Sequence, residues 1–437
     1  MNTVGLYTLG CKVSQYETEA IAEGFEARGF RVVPFSERAD VYVVNTCTVT
    51  AESDRKSRQV IRRAVKKNPD AAVLVTGCYS QRSPEELLRL DGVLYVGGTA
   101  RKMKLVDAAE RLLAAKRAGE RPAPVCDVAP LDGECFEPMT VRHAPRTRAY
   151  VKIEDGCECR CAYCAIPSAR GGVRSKAPLD VLAEVNALAE GGTVEVVLTG
   201  IEIASYGRDL EGVSLIDLLE LLEKESTVTR IRLGSMTPEA VTEDFAKRIA
   251  RVTKMVPHFH LSMQSGSDAV LRGMKRRYNT EMALAALDRL RRVMPHVCFT
   301  TDMMVGFPGE GEKEFSETLD FTRKAGFLDM HVFAYSKRKN TPAATYEGQV
   351  EEERKRQRSA RLIALAEELR DAKMDEVVRD GRPLSVLFET RDGAYMTGHS
   401  AQFIPVRVET KDALSGVLRT VLPTSFKAGV LYGILVD

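Results

Sequence analysis

The stretch Gly156-Cys-Glu-Cys-Arg-Cys-Ala-Tyr-Cys164 decides how the rest of the chain is read. Cys157, Cys161 and Cys164 are spaced C-x3-C-x2-C, which offers three thiolates to one iron-sulfur cluster and no matching fourth. A 4Fe-4S cubane held by three thiolates leaves one iron open. An open iron is where a small molecule is bound and split, whereas a cluster that only relays electrons takes four cysteines. Cys159 stands two residues from both Cys157 and Cys161, breaks the loop geometry that the other three share, and is read as a bystander. The competing readings are a zinc knuckle or a set of unrelated buried thiols. Zinc asks for a fourth Cys or a nearby His, and no His lies between Cys157 and Arg174.

Around this loop the chain alternates apolar runs with amphipathic segments. From about residue 146 to 375, beginning with a strand at Tyr150–Ile153 just ahead of the cysteines, six βα units predict a partial (β/α)6 barrel. Such a barrel gathers its loops and ligands at the carboxyl ends of its strands, which is where the cysteine loop falls. Residues 1–117 read as a separate α/β domain with an open parallel sheet, its strands at Val4–Thr8, Val41–Asn45 and Val73–Thr76. Residues 118–145 carry Pro122, Pro124, Pro130, Pro138 and Pro145 with little periodicity and read as a linker. Cys126 and Cys135 within it receive no role, and neither does Cys298. Residues 376–437 follow a charge-rich helix and switch to a period of two over five short runs, predicting a small all-β barrel.

Cys11, Cys47 and Cys78 each fall a few residues past one of the first three strands, beside Gly or Thr in a tight turn. In a parallel sheet all strand carboxyl ends share one edge, so three residues far apart in sequence converge on one point. Single cysteines are often buried as small hydrophobes. Three at equivalent topological positions favour a second ligand trio, again one thiolate short.

At 437 residues and 44% hydrophobic, the chain supports two to four domains with their own cores. Ten cysteines, no apolar leader behind Met1 and no apolar run long enough to cross a bilayer predict a cytoplasmic protein whose thiols serve metals before disulfides. The 63 basic and 61 acidic residues nearly cancel, so a polyanionic partner must be met by local clusters. Candidates are Arg55–Lys67, Lys275–Arg277 and Lys337-Arg338-Lys339. Arg354–Arg361 alternates with acids and reads as a solvated helix face.

Several motifs carry a family resemblance across the whole chain. Tyr7-Thr-Leu-Gly-Cys-Lys-Val13, Val44-Asn-Thr-Cys-Thr-Val-Thr50, Asp54-Arg-Lys-Ser-Arg-Gln59 and Val75-Thr-Gly-Cys-Tyr79 resemble the amino-terminal domain of the radical S-adenosylmethionine (SAM) methylthiotransferases. Gln264-Ser-Gly-Ser267, Gly306-Phe-Pro-Gly-Glu310 and Phe333-Ala-Tyr-Ser-Lys-Arg-Lys-Asn-Thr-Pro342 extend the likeness into the barrel, and the last segment looks like TRAM, an RNA-binding β-barrel. Within the family the wording is most similar to the enzymes that act on N6-threonylcarbamoyladenosine in tRNA, and less to those acting on isopentenyladenosine or on a ribosomal protein. Departures from the usual family wording stand at Ser14, Glu158-Cys159, Ser168, Ile201-Glu202 and Ser262-Met263; none removes a cluster ligand.

The resemblance implies two 4Fe-4S clusters, on Cys11/Cys47/Cys78 and on Cys157/Cys161/Cys164, with no further catalytic side chain assigned. It implies two uses of SAM, as methyl donor to sulfur and as radical source. Adenine C2 carries an unactivated C–H bond, so hydrogen abstraction by a radical is the plausible route. SAM contacts map to Thr199, Gly200, Ser235, Gln264 and Asp302 to Gly306, although Gly and Ser at strand ends are turn formers in any βα protein. Glu310 reads equally as a helix cap. The implied partners are the anticodon loop of tRNA and an electron donor of flavodoxin or ferredoxin type. Lys337, Arg338 and Lys339, directly after a barrel strand, are the expected RNA contacts, with Tyr395 or Phe403 stacking on bases. The reading outside enzymes is an iron-sulfur RNA-binding protein whose clusters are structural.

Overall fold

Valine-rich runs bounded by Thr and Gly build the first sheet. In the computed structural model, which describes residues 1–144 and 146–436, Val41–Thr46 and Ala72–Gly77 are buried at every position, as strands covered on both faces must be. The sheet has six strands in the order Arg31–Val33, Thr3–Thr8, Val41–Thr46, Ala72–Gly77, Val93–Gly97, Val125–Asp127, and every neighbouring pair is parallel. The last strand lies inside the segment expected to be a linker, so the sheet extends ten residues past the expected boundary at 117. Pro145, taken as the linker's end, lies outside the described residues, as does Asp437.

The second unit is the expected partial barrel of parallel strands. Arg230–Leu233, Glu195–Thr199 and Arg148–Lys152 form one sheet, and Ser235–Met236, His258–Leu261, Cys298–Val305 and Asp329–Ala334 the other. The two meet where Leu233 runs on into Ser235 and where Ile231 bridges to Met255. The barrel stays open between its first and last strands. Helix Lys12–Ala27 of the first unit packs on the first barrel strand. There the buried Tyr16 hydroxyl donates to the Met139 carbonyl at 2.6 Å and to Glu184 Oε1 at 3.0 Å. One apolar cluster therefore runs from Val4, Ile21 and Phe25 through Val151, Leu198 and Phe259 without a break between the two units.

Helix Glu352–Asp380 leads into a closed five-stranded barrel, Leu384–Asp392, Tyr395–Ser400, Pro405–Glu409, Val430–Val436 and Leu418–Lys427 in spatial order. Met374 of that helix is buried with Val386, Phe388, Met396 and Leu431 in the small barrel's core, and Cys298 joins the same cluster as a packing residue. No helix among the described residues is long and apolar enough to cross a membrane.

Candidate metal centres

The cysteine loop leaves the first barrel strand and is tied at its base. Glu154–Asp155 pairs with Arg174–Ser175, and the Cys157 amide donates to the Gly171 carbonyl at 3.0 Å. Gly156 makes this closure possible: its φ is +90° and a Cβ there would stand 1.8 Å from the Gly172 carbonyl oxygen. Each sulfur of the trio accepts a hydrogen bond from a different donor. The Cys159 amide reaches Cys157 at 3.4 Å, the Ile166 amide reaches Cys164 at 3.4 Å, and Arg276 Nη1 reaches Cys161 at 3.3 Å. Donors of this kind orient and tune cluster-bound sulfur. Arg276 is itself fixed by the Ser262 carbonyl and Tyr278. Within Lys275–Arg277 it is therefore turned inward, away from any RNA.

Cys159 stands beside Cys157 without sharing the spacing of the trio. Its thiol shares a hydrogen bond with Cys157, which raises Cys157 and, together with Arg277 and Arg276, lowers Cys159. It also lines a 310 Å³ cleft with Glu202, Ser205, Met236 and Glu239.

The second trio sits where three adjacent strands end. Cys11 precedes helix Lys12–Ala27, Cys47 follows Thr46, and Cys78 opens helix Cys78–Arg82. A Cβ on Gly10 would lie 3.5 Å from Cys47 Sγ, so the Cys11 turn closes directly over Cys47. Gly77, at φ +107°, could not carry a side chain without meeting the Thr46 carbonyl oxygen at 2.3 Å. Burial pushes Cys47 up to about 11 and raises Cys78, with each of the other thiols in the trio adding to the shift at Cys47. In the first trio burial pushes Cys164 up to about 12. Buried thiols of this kind become thiolates when a cationic metal centre takes them as ligands. Among the described residues no three His, Cys, Asp or Glu side chains are drawn close enough for a single ion.

The two trios are joined by one short helix. Ile166–Arg170 starts two residues after Cys164 and ends on Arg170, whose Nε donates to Cys78 Sγ at 3.2 Å. Fully buried, Arg170 also meets Glu17 at 2.6 Å and Asp155 at 3.1 Å. Lys152 bonds both carboxylates, at 2.9 and 2.6 Å, and Lys102 stands 3.2 Å from Glu17. Burial would push the Glu17 carboxyl up, but Arg170, Lys102 and Lys152 together hold it well below its ordinary range.

The barrel interior near the cysteine loop holds acceptors without donors. Glu154 Oε1, Glu202 Oε1, Glu239 Oε2 and Gln264 Oε1 are buried with no hydrogen-bond partner among the described residues. Burial raises Glu154 well above the usual carboxylate range and pushes Glu202 up to about 8. A bound cation with hydroxyl groups would supply what these atoms lack, and SAM is one, with its sulfonium, ammonium and ribose.

The expected SAM residues divide. Thr199 is buried at a strand end, and Gly200 has no room for a Cβ, which would meet Glu154 Oε2 at 2.5 Å. Ser235 lies at the junction of the two barrel sheets. Gln264 is held at φ +65° by the Asp302 carbonyl and the Met304 amide. Asp302 instead spends its carboxylate on His260 at 3.2 Å and His331 at 3.3 Å. Gly306 is covered: its amide donates to Glu310 at 2.8 Å, and a Cβ would strike Lys355 Cγ at 2.3 Å. Glu310 pairs with buried Arg358 at 2.9 Å, so its role is structural.

Two of the expected RNA contacts are corrected. Arg338 is buried, with Nη2 on Asp54 Oδ2 and on Thr48 Oγ1, both at 2.7 Å, while Lys337 and Lys339 remain exposed. Phe403 packs at the amino-terminal end of the large barrel, against Arg148 and Arg232 at 5.1 and 4.9 Å and stacked on His399 at 4.7 Å. Its ring therefore docks the terminal domain and is not free for a base. Tyr395 is half-exposed and pairs edge-on with Tyr432 at 5.8 Å.

Lys12, one residue past Cys11, escaped sequence reasoning. Burial lowers its ammonium, and Arg232 and Arg148 add to the effect, while Asp302 and Cys11 oppose it. It therefore stands within electrostatic reach of Cys11 on one side and of Asp302, Arg148 and Arg232 on the other. No carboxylate among the described residues lies within ion-pair distance of it.

Comparison with known proteins adds a lineage to this geometry. The model of an uncharacterized protein family, UPF0004, matches residues 3–97, and that of the radical SAM superfamily matches residues 151–322. The threonylcarbamoyladenosine tRNA methylthiotransferase MtaB of Bacillus subtilis is 39% identical over 439 residues, covering 99% of this chain and 95% of that protein. A tRNA-2-methylthio-N(6)-dimethylallyladenosine synthase of Carboxydothermus hydrogenoformans is 35% identical, covering 82% of each. Among solved structures, the radical SAM methyltransferase TsrM of Kitasatospora setae, with cobalamin and a [4Fe-4S] cluster bound, shares the fold. Its TM-score is 0.58 at 17% identity, over 79% of this chain and 74% of that one.

Proposed function

This chain belongs to the radical SAM methylthiotransferases, and on that premise we propose that it transfers a methylthio group to C2 of N6-threonylcarbamoyladenosine beside the anticodon of tRNA. The observation that carries the reading is the span from Cys164 to Cys78, with a single short helix and the Arg170 side chain between the two thiol trios. Cys157, Cys161 and Cys164 hold one 4Fe-4S cluster, and Cys11, Cys47 and Cys78 the other. When bound, the clusters and SAM supply the radical chemistry and the sulfur and carbon of the transferred group. The protein's own residues position and shield. Thr199, Gly200, Ser235, Gln264 and Glu202 surround SAM, and the orphaned oxygens of Glu202 and Gln264 receive its donors.

Lys12 favours the acidic substrate over its isopentenyl counterpart. The threonylcarbamoyl arm ends in a carboxylate, whereas the isopentenyl arm is a hydrocarbon. A half-buried ammonium with no carboxylate partner among the described residues is paired by the former alone. Lys337 and Lys339, next to the basic face of helix Ala51–Lys67, take phosphates of the anticodon loop. Tyr395 and Tyr432 offer a stacking surface on the terminal barrel. A flavodoxin- or ferredoxin-type protein supplies electrons.

Mass spectrometry of tRNA nucleosides from cells with and without the protein tests the reading. Loss of the 2-methylthio form of threonylcarbamoyladenosine is expected. Its persistence, or loss of the isopentenyl counterpart instead, overturns the assignment.

A further inference from the structure

We propose that the buried charge network centred on Arg170 is the positioning device of the second centre. It orients Cys78 and supplies the excess positive charge that lets this centre take an anionic sulfur ligand. The proposal rests on the functional reading above and concerns residues that the reading leaves unused.

Four cations meet two carboxylates in this network. Arg170, Lys102, Lys152 and Arg174 stand against Glu17 and Asp155, at 2.6 to 3.7 Å. The residues are all buried. Burying charge is costly unless it is paired, and an unpaired cation here would be strongly destabilising. Two of the four have no carboxylate of their own within the network. Beyond these carboxylates, the acidic group that both Arg170 and Lys102 face among the described residues is the strand-end Cys78. Arg170 Nε touches Cys78 Sγ directly. Lys102 Nζ approaches Asn45 Oδ1 at 3.5 Å and Thr76 Oγ1 at 3.3 Å, each two residues before a cysteine of the trio.

The charge balance points to a sulfur anion. An oxidised cubane on three thiolates carries one net negative charge, and a thiolate or hydrosulfide on the open iron brings a second. The two surplus cations match the loaded state better than the empty one. Arg170 also gives the match its geometry. Its planar fork is held by Glu17 and Asp155 on one side, so the Nε–H that remains is aimed at sulfur. Because Glu17 comes from the first unit and Lys152, Asp155 and Arg170 come from the barrel, docking of the two units completes the site.

The test uses the full chain with Cys157, Cys161 and Cys164 replaced by Ala, so that every iron signal belongs to the second centre. Arg170→Gln and Arg170→Lys are compared with this parent by iron content, by redox titration and by methanethiolate binding followed by electron paramagnetic resonance. We expect Arg170→Gln to weaken methanethiolate binding about tenfold, the scale of one charge-assisted hydrogen bond, and to lower the reduction potential. Arg170→Lys should keep most of both. Iron lost by Arg170→Gln and retained by Arg170→Lys also supports the proposal. Equal impairment of both variants, or full iron with unchanged affinity and potential in Arg170→Gln, overturns it. A parent that takes up no methanethiolate at all contradicts the functional reading, and the network proposal is then decided by the potential alone.

Discussion

Arg338 and Asp54 meet at 2.7 Å across the seam between the first sheet and the barrel. They pin the loop after the last barrel strand onto the helix that follows Cys47. Thr48 accepts from the same guanidinium, and the Arg82 side chain donates to the Lys339 carbonyl at 2.8 Å. Three neighbouring basic residues thus have two functions: the middle one locks the domains and the outer two face solvent.

Arg338→Ala should therefore cost stability, about 2–3 kcal/mol, because Asp54 is left largely buried without its partner. It should change RNA affinity little. The double substitution Lys337→Ala with Lys339→Ala should do the reverse, weakening tRNA binding and reducing its salt dependence by about one phosphate contact per residue. Chemical denaturation and binding at several salt concentrations separate the two. Equal loss of RNA binding in both proteins would return Arg338 to the RNA surface.

Iron content reports on the trios one at a time. The intact protein should hold about eight irons per chain if both sites fill with 4Fe-4S cubanes. Cys11→Ala should bring this to about four while leaving reductive SAM cleavage largely intact. Gly156→Ala, which cannot close the cysteine loop, should remove the other half and abolish cleavage. Either variant retaining the full count contradicts the ligand assignment.

Lys12→Met should raise the KM for RNA bearing the threonylcarbamoyl arm by roughly tenfold, the scale of a lost charge-assisted contact. Iron content should stay at the parent's level. An unchanged KM at full iron content removes Lys12 from substrate recognition.

His331 and Asp302 give a pH signature. The hydrogen bond to Asp302 raises the imidazole above its ordinary 6.5. The stability it brings is thus complete below about pH 6.5 and is lost as pH rises through the elevated value. On the acid side, burial pushes Asp302 up, but His260 and His331 hold it well below 3.8. Its share is present above that value and lost on further acidification. Nuclear magnetic resonance titration of His331 should show the raised midpoint, and Asp302→Asn should return it to the ordinary range. A midpoint that ignores the substitution refutes the pairing.

Strand-end cysteines were legible because parallel topology turns a sequence position into a place in space: Cys11, Cys47 and Cys78 needed only the ends of three strands. Val125–Asp127 was not, being three residues with its valine exposed, too short for any periodicity to show. Charge runs are opaque for another reason. Nothing local tells Arg338 from Lys337 or Lys339, since the choice is made by Asp54 and Thr48 in a distant part of the chain. Phe403 looked like a base-stacking ring until Arg148 and Arg232 occupied its surroundings. Glu202 was visible as a departure from family wording, yet its burial and its orphaned oxygen belong to tertiary structure alone.

The unbroken apolar cluster from Val4 to Phe259 has a consequence for how this enzyme wears out. The gap between its two prosthetic groups is set by the same greasy mass that keeps the polypeptide from melting. Register between them cannot drift gradually: warming should leave the spacing intact until the whole assembly gives way at once. A graft of either half onto a foreign partner would have to rebuild that shared interior before the inorganic parts could work together.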